Sequence, residues 1–123
     1  MARHVLLVDD DPESSLAVDR QLSELGYDAL VVTTGEDALR VLADDLRVDV
    51  LLTEVRLPDI DGRELAWAVC RKRPFVRVAF MGHRAAGEPL DVGNVPLLTK
   101  PFSATALASA LAQAMPMLRS ARP

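Results

Sequence analysis

The sequence predicts an α/β chain: a doubly wound parallel sheet of five strands with helices on both faces. Two observations carry this expectation. Short apolar runs alternate with amphipathic helical stretches joined by short loops, the pattern of repeated β-α units. In addition, the stretch Val48–Gly62, VDVLLTEVRLPDIDG, reads as a buried central strand, a tight loop and a new helix, with Glu54 where the strand ends. Right-handed crossovers restrict such a chain to a few topologies.

The elements follow in order. Val5–Val8 is a four-residue strand closed by Asp9-Asp10-Asp11. Asp11-Pro12 has the form of an N-cap with proline at the first helical position. Leu16, Leu22 and Leu25, with Ala17 and Val18, then supply the apolar face of a first helix that stops at Gly26. Ala29–Val32 is a second strand, and Thr34-Gly-Glu-Asp37 fits a capping box for a helix carrying Ala38, Leu39, Leu42 and Ala43. The central strand Asp49–Thr53 follows. Asp61-Gly-Arg-Glu64 starts a third helix that turns Leu65, Ala66 and Val69 inward, with Cys70 half-buried and Trp67 one step off the stripe. Val76–Met81 is the fourth strand. From Gly82 to Pro96 the pattern is broken by glycines and prolines, leaving room for a short helix around Glu88–Val92. Leu97–Thr99 is a fifth strand running into Lys100-Pro101-Phe102. Ser103 caps a last helix whose inner face is Leu107, Leu111, Met115 and Leu118.

Composition sets bounds on function. At 123 residues the chain, 1–123, is expected to form one domain. Half its residues are hydrophobic and 26% charged, the balance of a folded chain. A net charge of −4 argues against non-specific nucleic-acid binding. One cysteine, Cys70, cannot close an intrachain disulfide, which suits a reducing compartment. No apolar run has the length of a membrane span, and MARHVLLVDD lacks the form of a signal peptide, so the expected place is the cytoplasm. The tail Arg119–Pro123 is too short for an output domain, which favours a free-standing domain.

The strand ends carry the chemistry. Asp9 and Asp10 follow the first strand, Glu54 the third, Met81 the fourth and Lys100 the fifth. In a sheet ordered 2-1-3-4-5, strands one and three are neighbours, so Asp9, Asp10 and Glu54 converge at the switch point where such sheets bind ligands. Three carboxylates repel one another unless a cation joins them. A hard divalent ion such as Mg²⁺, ligated by Asp9, Asp10 and Glu54, is one solution. Lys100, by direct ion pairing, is the other. His83 follows the fourth strand, with lining the pocket as the lesser of its two readings, whereas Thr53 is sent by strand alternation to the opposite face.

These residues resemble the receiver domain of bacterial two-component response regulators. The matching pieces are VLLVDDD, the frame Asp49-x₄-Glu54-x₃-Pro58-x₃-Gly62, FMGH, and Lys100-Pro101-Phe102, in order along essentially the whole chain. The resemblance implies a flavodoxin-like (βα)5 fold and Mg²⁺ held by the acidic pair. It also implies phosphoryl transfer from a histidine kinase to an Asp on the third strand, and a Lys that contacts the phosphoryl group and precedes a cis proline.

Three positions depart from that pattern. Glu54 stands in the phosphoacceptor slot, Met81 in the slot of the switching Ser or Thr hydroxyl, and Leu97 in that of an aromatic. The extra methylene of Glu moves its carboxylate by roughly 1–1.5 Å, and a misplacement of about 1 Å can cost ~10²-fold in rate. Methionine offers only a weak acceptor and no donor. The expectation is therefore a receiver without ordinary phosphorylation, not an enzyme. It would work by binding a sensor histidine kinase, a phosphotransfer protein or another regulator, with no nucleic acid or membrane; homodimerisation stays open. Two alternatives stand beside it. One is a phosphomimetic receiver locked by Glu54 reaching Lys100. The other is a phosphohydrolase of the same fold, which lacks a nucleophile at position 54. A flavin carrier is disfavoured because DDDP would repel a phosphate.

Overall fold

Strands that are apolar at every position must lie inside a sheet, covered on both faces. The computed structural model describes residues 3–44, 46–83 and 91–117. Its elements are β1 (His4–Val8), α1 (Pro12–Glu24), β2 (Asp28–Val32), α2 (Gly35–Ala43), β3 (Val50–Glu54), α3 (Gly62–Lys72), β4 (Arg77–His83), β5 (Leu97–Lys100), α4 (Ala104–Gln113) and β6 (Met115–Pro116). The first five strands are parallel in the order β2-β1-β3-β4-β5, as expected.

Strand alternation divides the core into two layers. Leu6, Val8, Leu51, Val55, Val78 and Phe80 pack with Ala38, Leu42, Leu65, Ala66 and Val69 from α2 and α3. Val5, Leu7, Val50, Leu52, Ala79, Met81 and Leu98 pack with Val18, Leu22, Leu107, Ala110 and Leu111 from α1 and α4. The four helix starts read from the sequence are present. Asp11, Thr34, Asp61 and Ser103 each accept a backbone N–H from the first turn of the helix they cap. Gly26, with φ of 90°, follows α1 in the left-handed conformation that favours glycine.

Several sequence expectations need correction. Leu16 is not on the inner face of α1: it is 54% exposed, and Ser15, Val18 and Leu22 are the buried residues. Positions 15, 18 and 22 follow the helical stripe and 16 falls beside it. Cys70 is fully buried, its thiol 3.8 Å from the Val76 carbonyl. The last helix ends at Gln113 rather than carrying Met115 inward, and Met115–Pro116 instead pairs antiparallel with Arg77–Val78 at the start of β4. Pro116 is the physical reason: the residue before a proline is driven out of the helical region, and proline cannot continue the hydrogen-bond ladder. The short helix expected around Glu88–Val92 falls largely outside the described residues, and Leu118 wholly so. No helix among the described residues is long and apolar enough to cross a membrane.

Candidate functional site

Asp9, Glu54, Met81 and Lys100 meet because of parity. Each lies two residues beyond a member of the α1/α4-facing core layer: Leu7, Leu52, Ala79 and Leu98. Their side chains therefore start from the same face, at the carboxyl ends of β1, β3, β4 and β5. Glu54 stands in register with Met81, and His83 with Lys100. Thr53 has the opposite parity and donates its hydroxyl to the Glu54 carbonyl oxygen.

Lys100 occupies the centre. Its Nζ lies 2.6 Å from Asp9 Oδ2 and also pairs directly with Glu54 Oε1. All three side chains are buried, Asp9 completely, Glu54 and Lys100 each to 6% exposure. Two further donors reach Asp9. The Ser14 hydroxyl donates to Oδ2 at 2.8 Å and the Asp11 backbone N–H to Oδ1 at 3.0 Å. The sequence reading missed Ser14; its position in the first turn of α1, directly after the acidic run, was the available signal. His83 reaches the rim, with Nε2 4.0 Å from Glu54 Oε1.

Burial pushes the Glu54 carboxyl above its ordinary value of 4.5. Lys100 pulls it down by hydrogen bond and charge, Asp9 pushes it up, and His83 pulls it down. Met81 is fully buried in the core beneath and brings no hydroxyl to the pocket.

A local close approach holds the loop after β3. The Gly62 N–H donates to the Val55 carbonyl at 2.6 Å, and a Cβ at position 62 would sit 2.0 Å from the Glu54 carbonyl oxygen. The Asp59 carboxylate receives the N–H groups of Gly35 and Glu36, tying the same loop to the start of α2, and these bonds lower its pKa. The Lys100–Pro101 peptide is cis, as the resemblance implies.

The three residues expected to hold a metal are not gathered alike. Asp9 and Glu54 meet at Lys100, while Asp10 is exposed. No group of three His, Cys, Asp or Glu side chains placed to hold a metal ion occurs among the described residues. Receiver domains typically bind Mg²⁺ at this position. The donors as arranged here fit it poorly, because Lys100 and Ser14 both take Asp9 Oδ2 and Asp10 stands apart, exposed.

Comparison with known proteins agrees with this geometry. The family model described as the response regulator receiver domain matches residues 5–112. The chain is 34% identical to the positive alginate biosynthesis regulatory protein of Pseudomonas aeruginosa, over 90% of this chain and 46% of that one. It is also 34% identical to the response regulator MprA of Mycobacterium bovis, over 100% of this chain and 54% of the relative. It thus spans about half the length of these relatives. The chemotaxis response regulator CheY4 of Vibrio cholerae has a similar structure, with a TM-score of 0.78 at 26% identity, covering 91% of this chain and 98% of that one. The ordered strand-end residues, the sheet order and the match over nearly the whole chain lead to one assignment: the chain belongs to the response regulator receiver domain family of two-component signalling.

Proposed function

We propose that this receiver domain signals by protein–protein binding alone, with a pocket closed to phosphoryl transfer. One observation carries the reading: the Lys100 ammonium, the cation that would meet a phosphoryl oxygen, is held between Asp9 and Glu54. Glu54 is buried and paired with Lys100, and its extra methylene sets the carboxylate off the attack position. Met81, in register beside it, cannot hold a phosphoryl oxygen by hydrogen bond. The same ion pairs offset part of the repulsion between Asp9 and Glu54 without Mg²⁺. Receiver domains are generally signalling modules and interact with sensor histidine kinases and other regulators; a partner of that class is the one we assign.

The test is labelling with acetyl phosphate, read by intact mass. The protein as it stands takes no phosphoryl group, whereas Glu54→Asp combined with Met81→Thr takes one. Labelling of the unaltered chain overturns the reading.

The direct Glu54–Lys100 contact also favours a second reading, in which Glu54 stands in permanently for a phosphoryl group. It would carry one negative charge where a phosphoryl group carries nearly two. Backbone NMR of Glu54→Ala separates the two. Shifts confined to the pocket support a passive pair, and shifts spreading along β5 to Leu97 support a lock.

A further inference from the structure

We propose that copies of this chain associate head to tail, with Phe75 of one molecule seated in the cavity between α1 and the β5–α4 loop of the next. The inference does not depend on how Glu54 behaves, because it rests on two surfaces at opposite ends of β4.

The first surface is a projecting anchor. Phe75 is 91% exposed, whereas the other large apolar side chains exposed among the described residues are 36–54% exposed. An aromatic side chain buries about 150–250 Å² when covered, so leaving this one in water forgoes a large gain. Its presentation is fixed. The Val76 N–H donates to the Arg73 carbonyl and closes the turn, and the Arg73 guanidinium donates to the carbonyls of Leu42 and Leu46. The ring therefore stands on a turn pinned to the main body, which limits the entropy lost on docking.

Charge surrounds it on one side of the balance. The groove beside Phe75, about 570 Å³, is lined by Arg3, Arg47, Lys72, Arg73 and Arg77 against one acid, Asp49. Asp49 is already occupied by the His4 N–H and by Arg47, while Arg3, Lys72 and Arg77 make no ion pair among the described residues. In a chain of net charge −4 this is a local reversal of sign. An exposed aromatic with arginines around it, and few acids, is the composition of an interface centre.

The second surface is the complement. A cavity of about 320 Å³ has an apolar floor of Ala17, Val18, Pro101 and Phe102 and an acidic edge formed by Asp11 and Glu13. Neither acid is ion-paired among the described residues. Lys100 and His83 also line it, but Lys100 is committed to Asp9 and Glu54. The volume is at the small end for ligand pockets, ~300–1,000 Å³, which suits a single ring better than an extended ligand.

These halves cannot meet within one molecule. Phe75 lies before Arg77 at the amino end of β4, and His83 closes its carboxyl end. Seven residues of strand separate the poles by about 20 Å. A second copy brings them together, and because the two patches differ and lie at opposite ends of β4, the contact is heterologous and adds further copies until a row or a closed ring forms. The net charges of two copies repel, so the association is weak and strengthened only where opposite patches face.

Analytical ultracentrifugation at low and high salt tests this with the full chain. At low salt the weight-average mass rises with concentration past the dimer, and high salt reverses the rise. Phe75→Ala, a substitution on an exposed side chain, stays monomeric. Lys72→Glu with Arg77→Glu, and separately Glu13→Lys, each lose association, and mixing these two variants restores it. In NMR, unlabelled parent protein added to ¹⁵N-labelled Phe75→Ala shifts the amides of Ala17 and Gln21, whereas unlabelled Phe75→Ala does not. A monomer at every concentration in low salt overturns the proposal. So does association that Phe75→Ala leaves unchanged, or a row that stops at two.

Discussion

Lys100 is the side chain on which the pocket depends, since two buried carboxylates share it. Lys100→Met leaves both without a cation, and breaking a buried ion pair from one side costs about 3–5 kcal/mol. Urea denaturation at neutral pH should show a loss of that order. It should shrink in mild acid as Glu54 takes up its proton. The pH dependence of the parent follows from opposite signs. Glu54 has a raised pKa in the fold, so the native state binds the extra proton between 4.5 and that higher value. Its contribution is therefore most favourable below 4.5 and falls as pH rises through the window. Asp49 and Asp61 have lowered values, held down by the His4 N–H and by the Arg63 side chain respectively. Their stabilisation is complete above the ordinary 3.8 and is lost only as pH falls through their lower folded values. Between 3.8 and 4.5 all three contributions stand at their fullest, so these groups favour a stability maximum there. Glu54→Gln should remove the decline that begins above pH 4.5, read from urea midpoints as pH rises.

At the scale of elements, the loop between β3 and α3 is held by backbone contacts that leave no room. A methyl at position 62 would meet the Glu54 carbonyl oxygen at 2.0 Å and the carbonyl carbon at 3.0 Å. Gly62→Ala must push α3 away from the end of β3, an overpacking that costs about 1–3 kcal/mol. The denaturation midpoint should fall accordingly, and the amide resonance of Glu54 should move with it. This loop also shows where sequence reading runs out. The caps Asp11, Thr34, Asp61 and Ser103 were legible because each bond spans two or three residues. Asp59 was not, because it serves Gly35 and Glu36 more than twenty residues away in sequence. The pairing of Met115–Pro116 with β4 is likewise long-range, although Pro116 marked the end of the helix in plain view.

For the whole molecule, the sheet order and the meeting of Asp9, Glu54, Met81 and Lys100 were legible because both follow from a period of two and the alternation of strands with helices. What periodicity could not decide was whether Lys100 or a divalent cation balances the acids, since that depends on side-chain distances inside the assembled sheet. The reading in which Lys100 does so has a consequence for the stability of the entire fold. A ligand that binds only the native state raises stability by RT ln(1 + [L]/Kd), about 2.7 kcal/mol at a hundredfold excess over Kd. For a domain of this length that is a Tm shift of several degrees. With Asp9 Oδ2 held by Lys100 and Ser14 and Glu54 held by Lys100, Mg²⁺ should leave the Tm of the parent unchanged. Glu54→Asp withdraws one carboxylate by a methylene, loosens its hold on Lys100, and returns an oxygen to a cation. Mg²⁺ should then raise the Tm of that variant. A Mg²⁺-dependent rise in the parent itself would mean that Lys100 yields its place to the metal, and the closed pocket would have to be abandoned for one that opens on loading.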